Sequence, residues 1–188
     1  MNHRRRVGLA AHGALIAMSY GTMGSAVAGD APLPAGCGPD GSLQFVCGPV
    51  NAEDMLRVGS TRWLIASGMD GALMGGESAR GKLYLIDHES RSWREAFPGP
   101  APAFRHDKDS FGNCPGRVNI ANFSAHGLSM RQQSPGRYRL YVTGHGAREA
   151  IEVFDVDATG PAPAISWAGC VLLPDGVSAN SVEILPDG

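Results

Sequence analysis

Three short segments of the chain share one pattern, and this repeat constrains the fold more than any other feature of the sequence. The segments NAEDM, SAHGL and SANSV begin at residues 51, 124 and 178. Each has a small or polar residue, alanine, a polar residue, a small or acidic residue and then an apolar residue. The first two copies also agree downstream, where RWLIASG matches YRLYVTG and GKLYLIDHESRSW matches EAIEVFDVDATGPAPAISW. The repeat therefore predicts structural units with four strands in each.

Short apolar runs between turns rich in Gly, Pro and Asp predict an all-β fold. In the run RYRLYVT, Tyr138, Leu140 and Val142 alternate with the residues between them, which is typical of a strand. No long stretch of the chain has a clean helical repeat. The predicted strands are Arg62–Ser67, Lys82–Asp87, Ser92–Phe97, Gly127–Arg131, Arg137–Thr143, Ala150–Val156, Ile165–Leu172 and Val182–Leu185.

Recurring units of four short strands predict a β-propeller. The polar, turn-rich stretch 101–122 lies between two units and is expected to form an insertion loop between blades. In a propeller the first strand of each blade is innermost, so the equivalent residues Glu53, His126 and Asn180 should converge near the central axis. Carboxylate and amide oxygens are hard ligands for Ca²⁺, and a neutral imidazole beside the ion can act as a base.

The first 28 residues have the features of a secretory signal peptide. Three arginines at 4–6 precede a short apolar stretch, and Ala26-Val27-Ala28 forms a small-residue cleavage site. The alternatives are an uncleaved membrane anchor and export by a twin-arginine route. No later stretch has the roughly 18 consecutive apolar residues of a membrane helix. We therefore expect residues 29–188 to form a soluble, secreted or periplasmic domain.

Charge and cysteine content narrow the range of partners and cofactors. Residues 29–188 contain 13 Lys and Arg against 18 Asp and Glu, a net charge of −5 without a basic stripe. This composition argues against a nucleic-acid partner. Four cysteines behind a signal peptide suggest disulfides, with three pairings open, and their spacing does not suggest a zinc site. The cysteines are Cys37, Cys47, Cys114 and Cys170.

The residues around the repeat resemble the paraoxonase/arylesterase family, whose members are six-bladed calcium β-propellers. More distantly, they resemble the SMP-30/gluconolactonase and strictosidine-synthase-like propellers. The two histidines, His126 and His145, lie 19 residues apart as in the family. The resemblance extends from residue 52 to residue 180 in the family's order. The matching segments are AEDM (52–55), IASG (65–68), GKLYLID (81–87), AHGLS (125–129), YVTGH (141–145), EVF (152–154), and LP (173–174) followed by Asn180.

The resemblance implies roles for four residues at the mouth of the propeller channel. Glu53 and Asn180 would be ligands of a calcium ion that polarises the carbonyl of a lactone or ester. His126 would act as general base toward water, and His145 would be the second member of a dyad that orients and tunes it.

The resemblance also implies a second, structural calcium ion. Its ligands would include the carboxylate of Asp54 and the main-chain carbonyl of Leu128. The chain departs from the family here, because Ser181 stands where the family has an acidic residue. This departure counts against the second ion.

Six blades need roughly twice this length. We therefore expect residues 29–188 to form about two to two and a half blades of a truncated propeller, with SANSVEILPDG beginning the third. The leading function is calcium-dependent hydrolysis of small lactones or aryl esters, while enzymatic activity of the isolated chain stays open. The alternatives are a non-catalytic propeller that binds a small molecule or partner protein at the channel mouth, and a strictosidine-synthase-like enzyme.

Overall fold

The computed structural model of the chain describes residues 36–70 and 80–185, and within these ranges the protein is all-β without a helix. The all-β prediction is therefore confirmed. Among the same residues, no helix is long and apolar enough to cross a membrane. The predicted signal peptide, residues 1–28, lies outside the described residues.

The strands form two sheets, one of four strands and one of five. Along the chain they are β1 (Ala52–Arg57), β2 (Trp63–Gly68), β3 (Lys82–Asp87), β4 (Ser92–Phe97), β5 (Ala103–Phe104), β6 (Phe123–Ser134), β7 (Arg137–Gly146), β8 (Ala150–Asp157) and β9 (Ala164–Leu172).

The first sheet is an antiparallel meander with the order β1-β2-β3-β4. Its central strands alternate strictly in the way that the pleat requires. Leu83 and Leu85 of β3 point into the core between the sheets, while Tyr84 and Ile86 join a smaller apolar cluster on the opposite face. Both faces of β3 are therefore buried, which explains why the run KLYLID is apolar almost throughout.

The second sheet contains the same meander, formed by β6, β7, β8 and β9 in antiparallel order. The short strand β5 is added at its edge, parallel to β9. Each of the two units thus contains the four antiparallel strands that the repeat predicts. The sheets are separate, and no closed ring of sheets is present among the described residues.

An aromatic cluster fills the space between the two sheets. Phe97 of β4 is fully buried, and its ring centroid lies 4.8 Å from that of Phe154 and 5.7 Å from that of Phe123. Strand β6 contacts β1, β2 and β3, while β9 contacts β4. The two units therefore pack with their first strands adjacent, and the apolar core lies between them.

The prediction of a strand at Val182–Leu185 is wrong, because the structure has no strand there. The segment instead lies beside β6 and is held mainly by one side chain. The hydroxyl of Ser129 accepts from the N–H of Ile184 at 3.4 Å and donates to Glu183 at 3.3 Å. Because these contacts use the side chain of Ser129 and not main-chain groups of β6, residues 182–185 have no regular strand pairing.

The predicted insertion, residues 101–122, follows the outer edge of the second sheet. It contributes β5, and beyond β5 the N–H groups of Arg105 and Asp107 donate to main-chain carbonyls of β9. Arg139 from β7 lies 3.2 Å from the carboxylate of Asp107. The insertion is therefore attached to the sheet by main-chain and side-chain contacts.

Two disulfides select one of the three possible pairings, Cys37–Cys47 and Cys114–Cys170. The first closes a short loop before β1. The second joins the insertion to β9 across 56 residues of chain. Two disulfides fit an extracellular or otherwise oxidising compartment.

The two disulfides should differ in their contribution to stability. Because Cys114–Cys170 closes the longer loop, its removal by Cys114→Ala/Cys170→Ala should lower the free energy of unfolding by about 4 kcal/mol. The matched pair Cys37→Ala/Cys47→Ala should cost about 3 kcal/mol or less. Urea unfolding of both variants checks this order. A larger loss for Cys37→Ala/Cys47→Ala than for Cys114→Ala/Cys170→Ala would contradict it.

Acid should weaken the attachment of the insertion. Hydrogen bonds from Ser110 and the ion pair with Arg139 hold the pKa of Asp107 below its ordinary value of 3.8, against the opposing effect of burial. The stabilisation is therefore complete above that value and is lost as the pH falls below it. The difference in melting temperature between wild type and Asp107→Asn should shrink below about pH 4. Asp109→Asn, an exposed neighbour, is the control and should show no such pH dependence.

Candidate functional site

A β-bulge occurs at the same place in the first strand of both units. In β1 the register shifts between Ala52 and Asp54, and in β6 it shifts between Ala125 and Leu128. Ala52 and Ala125 pair with the equivalent glycines of β2 and β7. The bulges therefore place Glu53 and His126 at equivalent positions, in agreement with the alignment of the repeat.

The bulge of β6 is the meeting point of three segments that are distant in sequence. The N–H of Leu128 donates to Oδ2 of Asp54 at 2.8 Å, and the N–H of Gly127 donates to the carbonyl of Asn180 at 3.1 Å. A Cβ at Gly127 would lie 2.5 Å from that carbonyl and from the Cα of Ser181. Glycine is therefore required there for the close approach of the chain around Asn180.

The structure brings the two predicted histidines together. Nδ1 of His126 lies 3.2 Å from Nε2 of His145, and the ring centroids are 5.4 Å apart. His145 lies opposite Ser124 in the β6–β7 ladder and is 2% exposed, whereas His126 at the bulge is only partly buried. Strands β6 and β7 therefore hold the buried imidazole of His145 behind the solvent-accessible imidazole of His126.

Two further residues extend the histidine pair, and the sequence analysis missed both. Oε2 of Glu149 lies 2.7 Å from Nδ1 of His145, and the hydroxyl of Ser178 donates to the same oxygen at 2.9 Å. Glu149 lies in the turn between β7 and β8, where an acidic residue resembles any solvated turn residue. The signal that was available is its position four residues after His145. For Ser178 the available signal is its place as the first residue of the third copy of the repeat.

The remaining predicted ligands are placed near the bulge but are not joined into one cluster. The side chains of Glu53 and Asn180 are exposed and form no hydrogen bond or ion pair with the described residues. Asp54 uses one carboxylate oxygen for Leu128 N–H and the other for Met55 N–H. Among residues 36–70 and 80–185, no three His, Cys, Asp or Glu side chains come together in a way that could hold a metal ion.

Among the described residues, the hydroxyl of Thr143, opposite the bulge of β6, lacks the hydrogen bond that the equivalent hydroxyl of Ser67 forms in the first unit. There, Ser67 accepts from the N–H of Asp54 at 3.1 Å. In the second unit Thr143 takes the place of Ser67, but the N–H of Gly127 donates to Asn180 instead. Oγ1 of Thr143 is consequently buried without a hydrogen-bond partner among the described residues. Such a group next to a bulge is a polar atom available to a water or another ligand.

Comparison with known proteins gives no relative from which function could be transferred. No protein-family model, no curated protein and no solved structure matches this chain.

Asp54 should have a structural role that Glu53 lacks. In Asp54→Asn the amide group can accept only one of the two N–H groups that the carboxylate binds. The amide oxygen can retain the partly buried N–H of Leu128 and leave the exposed N–H of Met55 to water, so the free energy of unfolding should fall by about 1 kcal/mol. Glu53→Gln, on the exposed neighbour, should change it by less than about 0.5 kcal/mol. Calcium-free urea unfolding measures both, and equal losses would contradict the distinction.

Proposed function

We propose that the two units are neighbouring blades of a six-bladed β-propeller that acts as a calcium-dependent hydrolase of lactones or aryl esters. The observation that carries the proposal is the contact between His126 and His145, which joins two residues selected from sequence as a catalytic dyad. The accessible member of the pair lies at the bulge where β1, β6 and the segment around Asn180 meet.

The arrangement of the sheets supports the propeller. Two antiparallel four-stranded meanders pack face to face, and their first strands, β1 and β6, are in contact. Asn180, in the third copy of the repeat, contacts β6, because its carbonyl accepts a hydrogen bond from the N–H of Gly127. The three copies of the repeat are thus adjacent in space in the order in which they occur in the sequence, as they would be around a propeller axis.

The chemistry of the donors supports calcium in part. Glu53 has an exposed carboxylate without a protein partner among the described residues, and Asn180 offers an amide oxygen. Both are ligands that Ca²⁺ prefers, but Ca²⁺ takes about six to eight oxygens, so these two would supply part of the shell. A bound calcium ion would polarise the substrate carbonyl.

The histidine pair can provide the proton transfers of ester hydrolysis. His126 would take a proton from water as the water oxygen bonds to the substrate carbonyl carbon, and it would return the proton to the departing alkoxide or phenoxide as the C–O bond breaks. His145, buried behind His126, would hold the imidazole in place and stabilise its protonated form. An aryl ester gives a carboxylic acid and a phenol, and a lactone gives a single hydroxy acid.

Hydrolysis should depend on both histidine chemistry and calcium. Removing the base in His126→Gln should lower the rate of hydrolysis of phenyl acetate or a simple lactone by about 10²–10⁴-fold. The exposed His88 provides the control, because His88→Gln should retain the wild-type rate. Excess EDTA should abolish wild-type activity, and added Ca²⁺ should restore it. Initial rates of the purified variants are the measurement.

The outcomes separate the components of the proposal. Equal rates for wild type and His126→Gln would remove the proposed base, and activity unaffected by EDTA would remove the calcium. Calorimetric titration with Ca²⁺ tests the ion separately, and binding should weaken in Glu53→Gln. Calcium binding without hydrolysis of any ester or lactone would favour the non-catalytic propeller.

A further inference from the structure

We infer that Glu149 is a positioning residue that fixes the tautomers of both histidines and leaves Nε2 of His126 as a free basic lone pair. Nδ1 of His126 lies 3.2 Å from Nε2 of His145, and Nδ1 of His145 lies 2.7 Å from Oε2 of Glu149, so the three side chains form a continuous chain of contacts. The direction of every hydrogen bond in this chain follows from the chemistry of its last member.

An ionised carboxylate can only accept hydrogen bonds. Glu149 is about one-third exposed and lines a cleft of about 510 Å³, and its Oε2, which faces His145, already accepts a hydrogen bond from the hydroxyl of Ser178. Nδ1 of His145 must therefore carry the proton that it shares with Glu149. In the neutral ring Nε2 of His145 is then an acceptor, and Nδ1 of His126 must be the donor to it. The remaining nitrogen of His126, Nε2, is left unprotonated.

The position of Glu149 is itself fixed by its neighbours. Ser178 donates to the same carboxylate oxygen that faces His145, and the main-chain carbonyl of Glu149 accepts from the N–H of Leu173. The preceding residue, Arg148, forms two hydrogen bonds to the buried Glu152 at 2.6 and 2.8 Å. The turn is therefore held on both sides, and the carboxylate is aimed at the buried imidazole.

The functional consequence rests on the proposed function. A general base toward water needs a lone pair that faces the substrate. Among the described residues, no hydrogen bond is made to Nε2 of His126, and its Nδ1 is used by His145. Glu149 thus presets His126 for proton abstraction without touching the reacting atoms. Glu149 sets the histidine tautomers whether or not substrate is present. The tautomers can therefore be measured on the protein without substrate.

Imidazole nitrogen NMR of the wild-type protein tests the inference directly. On the alkaline side of the ordinary imidazole pKa, two- and three-bond ¹⁵N–¹H correlations distinguish the two neutral tautomers of an imidazole ring. His126→Gln and His145→Gln assign the two signals. The expected result is an Nδ1–H tautomer for both residues. An Nε2–H tautomer at His126 in the wild type would overturn the inference.

The Glu149→Gln variant provides the causal test. A carboxamide can donate as well as accept, so the chain loses its fixed direction, and both rings should show mixed or reversed tautomers. Glu89→Gln, on an exposed glutamate in the β3–β4 turn, is the matched control and should leave both signals unchanged. Wild-type tautomers in a folded Glu149→Gln variant would overturn the inference. If that variant does not fold, the wild-type spectrum still decides the matter.

Kinetics keep this inference separate from the proposed hydrolase. If the protein hydrolyses esters, Glu149→Gln should lower kcat on the order of 10–10²-fold with KM little changed, because substrate does not touch Glu149. An unchanged kcat would contradict the positioning role. If wild-type protein hydrolyses no ester or lactone, the proposed function fails, and the tautomers measured by NMR alone decide the role of Glu149.

Discussion

The bulge in β6 is the feature on which the rest of the site depends. A bulge removes two residues from the regular ladder, and its N–H groups then need other acceptors. The N–H of Gly127, inside the bulge, donates to the carbonyl of Asn180, and the N–H of Leu128, where pairing with β7 resumes, donates to the carboxylate of Asp54. These two hydrogen bonds join β6 to segments from the other two copies of the repeat. The same distortion places His126 at the junction.

A second polar network supports the site from behind. Glu152 is buried in β8, where Arg148 and the indole N–H of Trp167 satisfy its carboxylate. A buried charge without such partners would be strongly destabilising, so these residues form one unit. Arg148 also donates to the carbonyl of Gly116 in the insertion. The network and the Cys114–Cys170 disulfide thus fix the insertion and the turn that carries Glu149 to the same sheet.

Solvent exposure varies along the chain of contacts from His126 through His145 to Glu149. His126 is accessible, His145 is buried, and Glu149 reaches solvent again on the far side. A buried imidazole between two accessible groups has its orientation set by packing, and its proton position is set by the carboxylate. This arrangement suits proton transfer at His126, and it would support either hydrolysis or ligand recognition at that point.

The sequence by itself determined the all-β fold, the two four-stranded units and the equivalence of Glu53 with His126, because period-two alternation and an internal repeat can be recognised directly along the chain. The family resemblance, carried by short motifs, selected His126 and His145 as a pair. Only the tertiary structure decided the disulfide pairing, the partners of the bulge and the inclusion of Glu149 and Ser178. It also decided against a strand at Val182–Leu185, where a side-chain hydroxyl replaces the ladder. These features depend on which side chains and main-chain groups meet after the sheets pack, and neither the alternation nor the repeat identifies those partners.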